Sequence, residues 1–94
     1  MEIIIETFRA HGEPSANAVR ARAFPGQGVS TDLRVECARR IRRDYPVGTL
    51  FRVWADLTDR EGTPFLYTDY RGTYERVTVE RAREFIAERY GNRI

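Results

Sequence analysis

Between Thr49 and Val79 the chain carries three β-prone runs broken by two glycine-bearing turns, a pattern few folds accommodate. The runs are Thr49 to Leu57, Phe65 to Tyr70 and Thr73 to Val79, separated by Thr58 to Thr63 around Gly62 and by Arg71-Gly72. Short strands joined by such turns predict an antiparallel meander. Turn length then sets the register. If Asp59-Arg60-Glu61-Gly62 closes the first hairpin with Thr58 opposite Thr63, and Arg71-Gly72 closes the second, Trp54 pairs with Tyr67 and Tyr67 with Arg76. Arg52 then falls beside Asp69 and Tyr74, and Asp56 beside Phe65 and Thr78.

That register divides the sheet into two chemistries. Phe51, Val53, Ala55, Leu57, Leu66, Val77 and Val79 form an aliphatic face, as expected of an antiparallel sheet packed on one side. The other face gathers Arg52, Trp54, Phe65, Tyr67, Tyr74 and Arg76. A one-residue slip at either turn would carry the rings to the buried side.

The remaining segments supply the layers around this sheet. Glu2 to Arg9 reads as a strand, and its consecutive Ile3, Ile4 and Ile5 predict cover on both faces, as in a central strand. Ala10 to Ser15, with Gly12 and Pro14, is expected to be a loop. From Asn17 the alternation of Val19, Ala21 and Ala23 with Arg20 and Arg22 predicts a second strand, stopped by Pro25-Gly26-Gln27-Gly28. A helix is expected over 31–44, capped by Ser30, Thr31 or Asp32, with Leu33, Cys37 and Ile41 on one face and a Glu36–Arg40 pair on its surface. Tyr45-Pro46 ends it. The same residues, Leu33-Arg34-Val35-Glu36-Cys37, also alternate like a strand. Thr78 is a natural N-cap for a last helix carrying Val79, Ala82, Ile86 and Tyr90 on its apolar stripe, with Phe85 at the edge and Gly91 ending it. The prediction is a two-layer α+β domain over 1–94, about five antiparallel strands in the order β-β-α-β-β-β-α, with both helices on one face.

Composition narrows the function. All 16 basic residues are Arg, which excludes Schiff-base, P-loop-lysine and Ser-Lys chemistry and suits recognition of planar anions. A G+C-rich coding sequence accounts for the same bias. Net charge is only +2, far from the balance of a dedicated nucleic-acid domain. No apolar run approaches the ~20 residues of a membrane-spanning helix, and Met1 leads into Glu2 to Glu6 without the features of a signal peptide. The lone Cys37 suits a reducing, cytoplasmic compartment.

Catalytic and metal chemistries find little footing. His11 and Cys37 are the sole residues of their kinds, and neither has a partner at ligand spacing, so no metal or other cofactor is expected. A Cys37–His11 nucleophile pair competes with a simpler account, a thiol packed on an apolar stripe. Asp59 and Glu61 belong to a turn, Asp69 is assigned to Arg52, and Asp56 is the carboxylate with the most aromatic surroundings. Gly26-Gln27-Gly28 matches neither a Walker nor a dinucleotide fingerprint, and Arg39-Arg40-Ile41-Arg42-Arg43 reads as a solvated helix surface. No catalytic residue is assigned.

The order helix, three strands, helix from residue 31 onward resembles that of a double-stranded-RNA-binding domain. The basic cluster of those domains is replaced here by Val79-Glu80-Arg81-Ala82-Arg83-Glu84, of mixed charge. The three-strand-plus-helix tail is similar in order to some plant-type and phage DNA-binding modules, without a shared motif. The sequence therefore points to a non-catalytic binding module centred on Arg52, Trp54, Phe65, Tyr67, Tyr74 and Arg76. The partners such a face admits are a second copy in a homodimer, a protein, a small organic ligand, cationic or aromatic, or a nucleic acid, single-stranded or RNA.

Overall fold

The computed structural model describes residues 1–10, 19–59, 62–69 and 72–91. His11, most of the 10–15 loop, Arg60, Glu61 and Arg71 lie outside the described residues. The elements are β1 (Glu2–Arg9), β2 (Val19–Ala23), β3 (Val35–Glu36), α1 (Arg39–Arg43), β4 (Leu50–Trp54), β5 (Asp56–Thr58), β6 (Phe65–Tyr67), β7 (Tyr74–Val77) and α2 (Val79–Tyr90). They form an α+β structure with seven strands among the described residues rather than about five, in a four-stranded sheet β2-β1-β4-β7 and a three-stranded sheet β3-β6-β5.

β1 is central, as its isoleucines require. It pairs antiparallel with β2 on one edge and β4 on the other, and Ile3, Ile4 and Ile5 are all fully buried. Successive strand residues point to opposite faces, so two separate cores result. On one face Ile3, Ile5, Ala21, Ala23, Phe51 and Val53 pack with Val35 of β3, Leu66 of β6 and Ile41 of α1. On the other, Ile4 and Leu50 meet Ala82 of α2, flanked by Phe24, Val77, Phe85 and Ile86. The two helices thus lie on opposite faces of the larger sheet. Both cover it, but not together.

The segment expected to be one helix over 31–44 is divided. Its alternating part forms β3, whose neighbour is β6, in parallel, with Val35 opposite Leu66. Only Arg39–Arg43 is helical, without a side-chain N-cap. So short a helix is marginal by itself and depends on tertiary packing, here through buried Ile41. Glu36 sits in β3 and pairs with Arg34 at 3.7 Å, so the helical Glu36–Arg40 spacing does not arise.

The meander is also rearranged. β6 does not pair with β7; both pair with the continuous run from β4 into β5. Thr58 faces Phe65 and Asp56 faces Tyr67, but Val53 faces Tyr74 and Leu50 faces Val77. Residues 54 and 55 therefore have no counterpart in either ladder on this edge, and the chain between Tyr67 and Tyr74 makes an excursion in which Gly72 N–H donates to the Asp69 carbonyl at 2.8 Å. The cause is competition for edges. One edge of β6 belongs to β5, and β3 takes the other through Leu66 N–H to the Arg34 carbonyl and Thr68 N–H to the Glu36 carbonyl. No edge is left for β7, which pairs with β4 instead.

The Pro25–Gly28 breaker contains a ladder element that its composition conceals. Gln27 is 2% exposed, and its side-chain Oε1 accepts from Ile4 N–H at 2.7 Å while its Nε2 donates to the carbonyls of Ile4 and Phe24 at 2.8 Å each. The carboxamide stands in for a peptide group beyond the end of β2. Gly26 and Gly28, at φ of 96° and 77°, supply the left-handed backbone that folds Gln27 inward.

α2 forms as the sequence predicts. Thr78 caps it, its hydroxyl accepting from Arg81 N–H at 3.1 Å, and Gly91 ends it in an extended conformation. Among the described residues no helix is long and apolar enough to cross a membrane.

Candidate functional site

Trp54 closes β4 opposite Glu2 and leaves 62% of its surface exposed. On the same face, one step back along β4, Arg52 is engaged by two carboxylates: Glu2 at 3.4 Å and Glu75 at 2.9 Å. Glu2 also holds Arg89 of α2 at 2.9 Å, and the Tyr90 hydroxyl donates to the Glu2 carbonyl at 2.7 Å. This chain of alternating charges ties α2 across β1, β4 and β7, with its two arginines matched by two carboxylates.

The six residues expected on one face are not brought together. Arg52 and Trp54 share a face. Tyr74, opposite Val53, and Arg76, opposite Phe51, belong to the other face. The excursion at 68–73 moves β7 to a register in which Arg52 faces Glu75, not Tyr74. Tyr74 accordingly joins Tyr45 and Phe51 in edge-on ring contacts with centroids 5.0 to 6.3 Å apart. Such contacts each contribute roughly 0.5–1.5 kcal/mol beyond area burial. Arg40 lies 5.2 Å from the Tyr74 ring. Tyr67, half-buried, stands in the second sheet opposite Asp56. Phe65 is buried at 2% exposure, with the Arg34 guanidinium 4.6 Å from its ring. Asp56 is exposed, 3.8 Å from the N-terminal ammonium.

The excursion nevertheless creates a concave site. Where residues 54 and 55 lack a ladder partner on the edge shared by β6 and β7, a cleft of about 190 Å³ opens. Trp54, Val53 and Tyr74 border it from the larger sheet, Thr68, Asp69, Gly72 and Thr73 from the excursion, and Ala38 and Ile41 from beside α1. Asp69 is its one charged lining residue among those described. The sequence assigned Asp69 to Arg52 and so overlooked this role. The six polar or glycine-rich residues from Thr68 to Thr73, too many for a tight two-residue hairpin, are the signal that could have shown it.

Other chemistry is sparse among the described residues. No group of three or more His, Cys, Asp or Glu side chains stands at metal-binding distance. Cys37 is half-buried against the larger core, and desolvation raises its thiol pKa above the usual range despite the opposing influence of Arg42. A thiol so placed is a poor nucleophile. Tyr45 is hydrogen-bonded to Tyr74, and this bond, aided by burial, raises its phenol pKa.

Comparison with protein-family models, with curated proteins and with solved structures gives no match.

Proposed function

We propose that the protein is a non-catalytic recognition module whose Trp54 cleft takes a cationic group, an ammonium or guanidinium carried by a small ligand or a partner protein. The supporting observation is the exposed indole at the border of a cleft whose one charged lining residue among those described is the carboxylate Asp69. Aromatic faces attract cations electrostatically, by roughly 0.5–1 kcal/mol when exposed and 2 or more when desolvated. A nearby carboxylate adds to that attraction. Nucleic-acid stacking finds less support, because Arg52, the cation beside the indole, is already held by Glu2 and Glu75.

Trp54 is the only tryptophan in the chain, so its fluorescence reports on this site alone. Titration with tetramethylammonium chloride or N-acetyl-arginine amide, against sodium chloride at equal ionic strength, should give a saturable change that Asp69→Asn weakens. A response matched by sodium chloride would refute the proposal. Oligonucleotide binding that falls steeply with salt and survives Asp69→Asn would transfer the face to nucleic acid. A concentration-dependent mass by light scattering, abolished in Trp54→Ala, would give it to a second copy of the chain.

A further inference from the structure

The abundance of arginine has a consequence at a second cleft, which shares no lining residue with the one beside Trp54. A cleft of about 430 Å³ runs between β2 and the segment leading into β3, a size within the usual range for small-molecule sites. Arg20 and Arg22 border it from β2, Arg34 from the approach to β3 and Arg42 from α1, against Asp32 and Glu36. β2 is the outermost strand of its sheet. Phe24 N–H bonds to Ile4 across the β1 side, so by strand alternation the peptide groups of Ala21 turn outward, where Ala21 lines the cleft.

The arginines differ in what holds them. Arg22 is fixed by Glu6 at 2.9 Å and by the Phe8 ring, 4.3 Å from its guanidinium carbon. That stack presents an ordered guanidinium beside an aromatic wall. Arg34 pairs with Glu36 at 3.7 Å with both side chains about half exposed, and its guanidinium also lies 4.6 Å from the Phe65 ring. A wet pair of that kind contributes little and yields readily to a better-placed anion. Arg42 reaches the cleft from α1 near Cys37. Guanidinium groups match oxyanions with forked, charge-assisted hydrogen bonds, and Phe8, Leu33 and Val35 offer apolar contact to the rest of a ligand.

We infer that this cleft is a binding site for a small organic oxyanion, a carboxylate or a phosphate ester, held between the β2 arginines and the Arg34–Arg42 side. It is independent of the Trp54 cleft and takes a ligand of opposite charge.

The test is a backbone amide NMR titration with phenyl phosphate, benzoate and inorganic phosphate in separate arms, at constant ionic strength. Saturable shifts confined to residues 20–22 and 31–36 are expected with at least one organic probe, while residues 54, 68 and 69 stay fixed. Saturation by phenyl phosphate alone, or by benzoate alone, names the headgroup. Arg34→Gln and Arg42→Gln should each weaken binding about tenfold, equivalent to ~1.4 kcal/mol. Thermal midpoints within a few degrees of the parent would show that these variants fold. Shifts that never saturate, that sodium chloride reproduces, that map elsewhere, or that persist unchanged in the folded double variant would each overturn the inference. Saturation with inorganic phosphate but neither organic probe would also overturn it, since the apolar wall would then have no part.

Discussion

Replacing Gln27 should destabilise the fold far more than its place in a Pro/Gly turn suggests. In Gln27→Ala the Ile4 N–H loses its acceptor in a site where Ile4 is fully buried. The Phe24 carbonyl also loses the side-chain donor, whereas the Ile4 carbonyl keeps a bond from Phe24 N–H at 3.0 Å. One orphaned buried donor costs about 1–3 kcal/mol, and a partly wet carbonyl adds about 1 more. The total is about 3 kcal/mol, a large share of the 5–15 kcal/mol typical of a domain. At roughly 4–8 °C per kcal/mol for a chain of this size, the thermal midpoint should drop on the order of 12–24 °C. Gln27→Glu separates hydrogen bonding from shape. Its carboxylate still accepts from Ile4 N–H, but its second oxygen faces two carbonyls, so burial favours the protonated form in the folded state. An acid whose pKa is raised by folding binds more protons in the folded chain, so stability falls as pH rises above the unfolded value of about 4.3. Urea melts between pH 4 and 8 should show the glutamate variant losing stability steadily while Gln27→Ala changes in parallel with the parent. A loss below 1 kcal/mol in Gln27→Ala, or a pH-independent difference between Gln27→Glu and the parent, would refute the reasoning.

Thr78→Ala should cost about 1 kcal/mol by removing the cap on Arg81 N–H, read as a lower urea midpoint at unchanged slope. Trp54→Ala should leave stability within about 0.5 kcal/mol of the parent in the same melts, because the indole is mostly in water. Cys37 and Tyr45 both have raised pKa values in the folded chain, from burial and from the Tyr74 hydrogen bond respectively. Their neutral forms favour the fold, so stability should decline as pH rises above about 9 and further above about 10. Cys37→Ala should remove the first part of that decline in melts from pH 7 to 11.

What the sequence made legible was local or periodic. Three consecutive isoleucines marked β1 as covered on both faces, alternation located β2, and Thr78 announced α2. Leu33, Cys37 and Ile41 were also rightly read as core positions, since all three join the larger cluster. Their spacing suggested a helix, yet most of that segment is extended. The deciding partner, β6, lies some thirty residues further on and pairs in parallel. A propensity judged over a few residues cannot register a strand that distant. The site divided along the same line. Trp54 was legible as sharing a face with Arg52, whereas its exposure comes from its place at the end of β4, since Leu50 on that same face is buried. Phe65 and Tyr74 were not, because their faces depend on which strand claims each edge of β6. Gln27 was hidden for another reason: nothing in its neighbours shows a side chain replacing a backbone group.

The run from β4 through Ala55 into β5 links fold to site. Ala55 is buried, its N–H donates to the Met1 carbonyl at 2.8 Å, and its carbonyl accepts from the N-terminal ammonium at 2.7 Å. Before this point the run belongs to one sheet, and after it to the other. A strand serving two sheets must pass a place where neither supplies a full ladder on both edges. On one edge that place is filled by Met1, and on the other the ladders stop at Tyr67 and resume at Tyr74. The gap left behind is the cleft that Trp54 borders. The exposed indole and the concavity beside it thus share one origin, the handover between sheets. The recognition site is proposed where pairing fails, and the same competition for strand edges that defeated the simple meander created it.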